Sequence, residues 1–157
     1  MLTTDELAQA VADGSIDTVI VAFTDMQGRL MGKRLHGEFF VDEVGSGHAV
    51  EGCNYLLALE MEMDPVPGYE IASWERGYGD FVMRPDFDTL CRTTWLDGTA
   101  MCLADVEWED GSPVVASPRQ VLRALRILVD ERDVAERPAG RGSDHPGLSP
   151  AWRARST

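Results

Sequence analysis

Hydrophobic and polar positions change period several times along the first half of the chain, and each change marks an element. Thr3-Thr4-Asp5-Glu6 predicts the opening of a short helix with Thr4 as its N-cap. Leu7, Ala10 and Val11 lie along one face of that helix, and Gly14 is its natural stop. Ile16–Phe23 (IDTVIVAF) is rich in β-branched residues and almost continuously apolar, the pattern of a central strand covered on both faces. Asp25–Arg29 reads as a turn in which Gly28 is free to take positive φ, and Leu30–Leu35 as the returning strand of a hairpin. Phe39, Phe40 and Val44 predict a short helical turn packed on the sheet.

From Gly45 to Asp80 no period holds. This stretch contains six glycines, Pro65 and Pro67, many acids, and the aromatics Tyr55, Tyr69, Trp74 and Tyr78. Long irregular segments are uncommon in compact domains, and the aromatics argue against disorder, so the expectation is an ordered, projecting loop with a partner to pack against. Phe81–Arg84 predicts a short strand stopped by Pro85. Arg92–Leu96 and Thr99–Val106 predict two more strands, joined at Asp97-Gly98. Ser117-Pro118-Arg119-Gln120 carries Ser at an N-cap, Pro at the first helical position and Gln at the third. Val121, Leu125 and Leu128 then form an apolar stripe. Residues 134–157 have no period and much Pro, Gly, Ser and Arg, a composition that predicts a disordered tail. Together these elements predict a small α+β domain with a mixed or antiparallel sheet of four to five strands and a few short helices.

Composition narrows the function classes. A chain of 157 residues, 44 % hydrophobic and 26 % charged, is that of one ordinary globular domain. No apolar run is long enough for a transmembrane helix, and the N-terminus lacks the basic start of a secretory signal, so a cytoplasmic protein with no membrane partner is expected. The net charge of −13 is unevenly spread: residues 1–117 carry 22 acids against six Lys or Arg, and residues 118–157 carry five acids against eight Arg. An acidic body repels phosphates, which argues against nucleic acid or an anionic membrane; it is compatible with cations, amines or metals as ligands, although solubility alone explains it.

Few constellations carry chemistry by themselves. Cys53, Cys91 and Cys102 fit neither a disulfide framework nor a zinc site, and read as small buried or half-buried thiols. His36, His48 and His145 lack ligand spacing, so no metal site is expected. Gly45-Ser46-Gly47 lacks the lysine and following helix of a phosphate loop. Glu60-Met61-Glu62-Met63-Asp64 alternates carboxylates and reads as a solvated strand face.

Several patches, in order, resemble the glutamine synthetase family. Ile16-Asp17-Thr18-Val19, then Phe23-Thr24-Asp25 with Gly28 in the turn, looks like that family's opening hairpin. Glu51-Gly52-Cys53-Asn54 stands where the family usually carries Asp-Gly-Ser-Ser. Gly79–Asp86 (GDFVMRPD) is similar to its acidic residue, apolar strand and Pro-Asp ending. Trp95–Asp105 followed by Ser117-Pro118-Arg119 resembles its strand pair and Pro-Arg helix start. The segment Glu51–Phe81 resembles the actinobacterial branch, in which the second substrate is often a polyamine, ethanolamine or another amine rather than ammonia.

The resemblance implies a β-grasp-like N-terminal domain over residues 1–117, a helix over 118–133 that would start the catalytic domain, and a tail over 134–157. The family's catalytic domain supplies the metal-binding glutamates and phosphate-clamping arginines, which do not follow here, and the tail's Arg, Pro, Gly and Ala are residues of GC-rich codons. A frameshifted or truncated synthetase is therefore expected. The intact family ligates ammonia or an amine to the glutamate γ-carboxylate with ATP and Mg2+ or Mn2+. This chain would bind none of these cofactors, would be inactive alone, and would supply the loop that reaches a neighbouring subunit, its partners being other synthetase subunits in a homo-oligomer. Glu51 is implied as the acid that helps to bind and deprotonate the amine in the neighbour's site, a role a carboxylate suits chemically, with an exposed loop acid as the alternative. Asp80 is a second candidate, with a structural alternative in which it bonds backbone N–H groups where the loop returns to the sheet. Trp74 is a candidate for covering the neighbour's pocket, with packing on its own sheet as the alternative. Two rival expectations are a non-enzymatic module that docks into full-length synthetase rings and an unstable product with no role.

Overall fold

In the computed structural model, residues 1–69, 71 and 79–135 are described, 130–135 by their backbone alone. Expectations that fall on Trp74, Tyr78 and residues 136–157 lie outside the described residues. Met1–Ala124 forms one compact unit and Leu125–Thr157 a second.

Helix α1 spans Thr4–Ala12, and its N-cap is Thr3 rather than Thr4. The Thr3 hydroxyl accepts the Glu6 N–H at 3.2 Å and the Glu6 carboxylate accepts the Thr3 N–H at 2.8 Å. Glu at the third helical position completes a capping box, which fixes the boundary one residue earlier. Strand β1 spans Thr18–Thr24. It starts later than the apolar run because the Ile16 N–H donates to Ala10 O and the Asp17 N–H to Gly98 O. β1 pairs antiparallel with β2 (Leu30–His36), from Thr18↔His36 to Thr24↔Leu30. Gly28 closes their turn at φ +82°, a conformation glycine adopts without steric cost. A one-turn helix α2 (Gly37–Phe39) runs into a π-helical turn, Phe40–Val44, that buries Phe40 and Val44 and leaves Phe39 exposed.

The stretch read as a continuous loop contains a further strand, β3 (Val50–Cys53), and a 3-10 turn, Asn54–Leu57. β3 pairs antiparallel with β4 (Asp80–Arg92) from Val50↔Met83 to Cys53↔Asp80. Pro85 does not stop β4. β3 reaches only to Met83, so beyond it β4 is an edge and Pro85, paired with Ala104, costs no ladder bond on that side. The strand expected over 81–84 thus runs on to Arg92, with a register shift between Asp86 and Cys91, whereas of the strand expected over 92–96 only Arg92 is strand and the rest is loop. Thr89 stitches the irregularity: its hydroxyl donates to Asp86 O and accepts the Leu103 N–H, both within 2.8 Å. β5 spans Thr99–Glu107, and the loop before it is closed by the Thr93 hydroxyl donating to Leu96 O.

The result is a mixed five-stranded sheet in the order β2-β1-β5-β4-β3, with β1 and β5 parallel at its centre. The small α+β architecture expected from the sequence is therefore present. Val19, Val21, Phe23, Phe81, Met83 and Val106 fill the core with Leu7 of α1 and Phe40. Phe23 and Phe81 meet edge to face at 5.0 Å. Glu60–Asp64 is a turn between the bridged residues Leu59 and Pro65, not a strand, with Met63 at φ 71°.

Helix α3 spans Pro118–Ala135. Its first turns are tied to the sheet by ion pairs: Arg119 Nε to Asp105 at 2.7 Å, Arg119 to Asp86, and Arg123 to Asp105 at 2.5 Å. The stripe of Val121, Leu125 and Leu128, expected from its spacing to seek burial, is exposed, as are Leu122, Ile127 and Val129.

Candidate functional site

Alternation along β3 sets up the site. Val50 and Gly52 point inward and are buried, whereas Glu51 and Cys53 share the outer face and are exposed. Cys53 is paired with Asp80, the first residue of β4. The two acids singled out from sequence, Glu51 and Asp80, therefore come together in one cleft of about 230 Å3. Lys33 of β2 and Cys53 line it beside them, with Leu56 and Met83 as apolar wall. β2 and β3 are opposite edges of the sheet, so their meeting at one cleft requires the sheet to coil strongly on itself. Gly32, also in the lining, has its backbone against β1: a Cβ there would sit 2.0 Å from Val21 O.

A second set of contacts holds the hairpin tip over this end of the sheet. Asp25 is fully buried and accepts the N–H groups of Gln27 and Arg29 at 2.9 and 2.8 Å, while Arg29 Nε donates to its other oxygen at 2.7 Å. Arg29 also reaches Leu59 O at 3.2 Å, and the Met26 N–H donates to Leu57 O at 3.0 Å. The 3-10 turn that carries Leu56 into the cleft is thereby fixed to the β1–β2 turn.

Electrostatics in the cleft mix both signs. The Cys53 thiol is pushed up from its ordinary range, first by desolvation, then by the neighbouring Asp80 carboxylate, with Lys33 opposing. Cys53 is exposed, against the expectation that all three thiols would be buried or half-buried; Cys91 is half-buried, and Cys102 is buried with its pKa pushed up to about 12 by desolvation. Among the described residues no cluster of three or more His, Cys, Asp or Glu could hold a metal ion. No helix among them is long and apolar enough to cross a membrane.

Among the described contacts, Asn54 ties together the backbone on either side of Asp80's approach to the sheet. Asn54, buried at 6 % exposure, donates from Nδ2 to Ile71 O at 3.0 Å and accepts the Gly79 N–H at 3.4 Å. Its own N–H donates to Gly79 O at 2.9 Å. Sequence reading passed over Asn54 and Lys33 as individual residues. The alternation in Val50-Glu51-Gly52-Cys53 was the available signal for β3, but four residues inside a glycine-rich run carry little weight. Trp74 lies outside the described residues.

Comparison with known proteins places this geometry. Over 122 residues the chain is 60% identical to the gamma-glutamylethanolamide synthetase GlnA4 of Streptomyces coelicolor, which covers 78% of this chain and 26% of that protein. The chain belongs to the glutamine synthetase family. Within that family it is also 32% identical over 112 residues to a glutamate–isopropylamine ligase of a Pseudomonas species, covering 69% of this chain and 24% of that protein. The chain thus spans about a quarter of the length of these curated relatives. A solved GmaS/ADP complex shares the fold, with a TM-score of 0.58 at 22% identity over 81% of this chain and 26% of that one. An apo GmaS structure does so with a TM-score of 0.56 at 23% identity. No protein-family model matches the chain.

Proposed function

We propose that this chain supplies the amine side of a γ-glutamyl–amine ligase site, with Glu51 and Asp80 as the carboxylates that meet the incoming alkylammonium. The observation that carries this reading is the convergence of Glu51 and Asp80 on one cleft with an apolar wall, in a chain whose relatives are named for ligating ethanolamine or isopropylamine. An alkylammonium must lose a proton before its nitrogen can attack an activated γ-glutamyl carbonyl. Glu51, exposed on the outer face of β3, is placed to take that proton, and Leu56 and Met83 offer the alkyl chain a dry wall. Glu where the family usually carries Asp extends the carboxylate by about one methylene, which suits a shift in the amine accepted.

Among the described residues no cluster of three or more His, Cys, Asp or Glu could hold Mg2+ or Mn2+. On this reading residues 1–117 are the synthetase's N-terminal domain, the helix from 118 begins its catalytic domain, and a neighbouring synthetase subunit completes the site. The exposed apolar residues of α3 favour a companion reading in which the chain acts by docking onto full-length synthetase subunits.

The test is an assay of the purified chain with glutamate, ATP, Mg2+ and ethanolamine, and of its mixture with a full-length relative on a sizing column. The expected result is no γ-glutamylethanolamide from the chain alone and co-migration with the synthetase. Robust turnover by the chain alone would overturn the proposal that the site is completed by a neighbour, and separate elution would remove the docking reading.

A further inference from the structure

We propose that Asn54 is a positioning residue of this cleft: its side-chain amide gathers Ile71 and Gly79 to one point and so holds Asp80 in place opposite Cys53. The inference rests on the amine-site reading for what the positioning serves, while its geometry stands on the contacts themselves. Cys53↔Asp80 is the last pair of the β3–β4 ladder. Strand ends fray unless something beyond the last pair holds them, because the terminal bonds gain little to offset chain entropy. Here the next residue on each side, Asn54 and Gly79, is joined twice. The Asn54 N–H donates to Gly79 O at 2.9 Å, and Asn54 Oδ1 accepts the Gly79 N–H at 3.4 Å.

The same amide donates to Ile71 O at 3.0 Å. The Ile71 carbonyl and the Gly79 N–H are therefore both held by one side chain. A buried primary amide carries a desolvation cost unless its polar atoms are bonded, so the three groups hold one another in register. A Cβ on Gly79 would come 3.6 Å from Asn54 Nδ2, an ordinary van der Waals contact, so the amide lies against this residue without crowding it. Asp80 follows Gly79 directly and is held opposite Cys53 while the Asn54 bonds to Gly79 persist. With Ala at position 54 the backbone bond remains but the amide's two contacts vanish, and Asp80 drifts from the cleft.

Cys53 supplies a local reporter, because its thiol senses Asp80. The titratable groups facing it are Asp80, Glu51 and Lys33. The experiment is the pH profile of Cys53 alkylation in the full 157-residue chain, resolved by peptide mass so that Cys91 and Cys102 do not contribute. It is run on the wild type, Asn54→Ala, Asp80→Asn and the double variant, each checked for a cooperative thermal transition.

Each single substitution is expected to lower the Cys53 midpoint and raise its rate near pH 8 by about threefold. The double variant is expected to match Asp80→Asn alone, since Asn54 acts through Asp80. An unchanged midpoint in Asn54→Ala, or additive shifts in the double variant, would overturn the assignment. Should Asn54→Ala lose its cooperative transition, Asn54→Ser retains a small hydrogen-bonding group, and its midpoint is expected between those of the wild type and Asp80→Asn; a wild-type midpoint there would count against the proposal. The cycle uses no amine, so a failed amine-site reading leaves its result standing, and its own failure leaves the amine site open.

Discussion

Asp25 shows how one buried carboxylate can organise a whole corner of the chain. Two backbone N–H groups and the Arg29 guanidinium satisfy its oxygens without exposure to water. Charge-assisted bonds of this kind are strong, and removing one partner leaves the others uncompensated. Asp25→Ala is expected to cost about 3 kcal/mol in urea unfolding, against about 1 kcal/mol for Asp25→Asn, which keeps an acceptor for the two N–H groups. Equal costs for the two variants would show that the charge, which both remove, rather than the acceptor that Asn keeps, holds the turn. Sequence reading saw Phe23-Thr24-Asp25 as a family mark and Gly28 as the pivot, but burial of Asp25 was not visible. It depends on Leu57 and Leu59 closing over the turn from thirty residues downstream.

At the scale of elements, the hairpin β1–β2 and the start of α3 were legible because each is specified locally, by a β-branched run, a Gly turn, and Ser-Pro at a helix start. β3 was not legible, because its partner strand begins only at Asp80 and its own four residues include a glycine. Pro85 misled for a related reason: whether a proline ends a strand depends on which neighbour is beside it, and β3 stops short. The capping box of α1 yields a pH prediction. Glu6 is held below its usual carboxylate range chiefly by the Thr3 N–H, then by the Thr3 hydroxyl. Because its folded pKa is depressed, the charge contribution is present above the unfolded value and is lost as pH falls through the folded one. Glu6→Gln is therefore expected to melt below the wild type at neutral pH, and the gap to close as the pH falls through the folded pKa of Glu6, below the ordinary carboxylate range. A gap that persists unchanged at low pH would assign the cap to shape alone.

Over the molecule as a whole, the sheet brings residues from its two edges to one cleft, and that coiling is what makes Glu51, Asp80, Cys53 and Lys33 neighbours. Family resemblance pointed to Glu51 and Asp80 singly. Their convergence was beyond sequence reasoning, because it needs β3 to exist and the sheet to close on itself. Lys33 was passed over since a lysine on an exposed edge strand is ordinarily solvated. The most direct measurement is an amide-resolved NMR titration of the labelled chain with ethanolamine hydrochloride at neutral pH, repeated on Glu51→Gln. The account predicts shifts centred on Glu51, Cys53 and Asp80 that are lost in the variant while the rest of its spectrum is unchanged. Shifts that are absent, or that survive the substitution at full size, would contradict the assignment of this cleft to the amine.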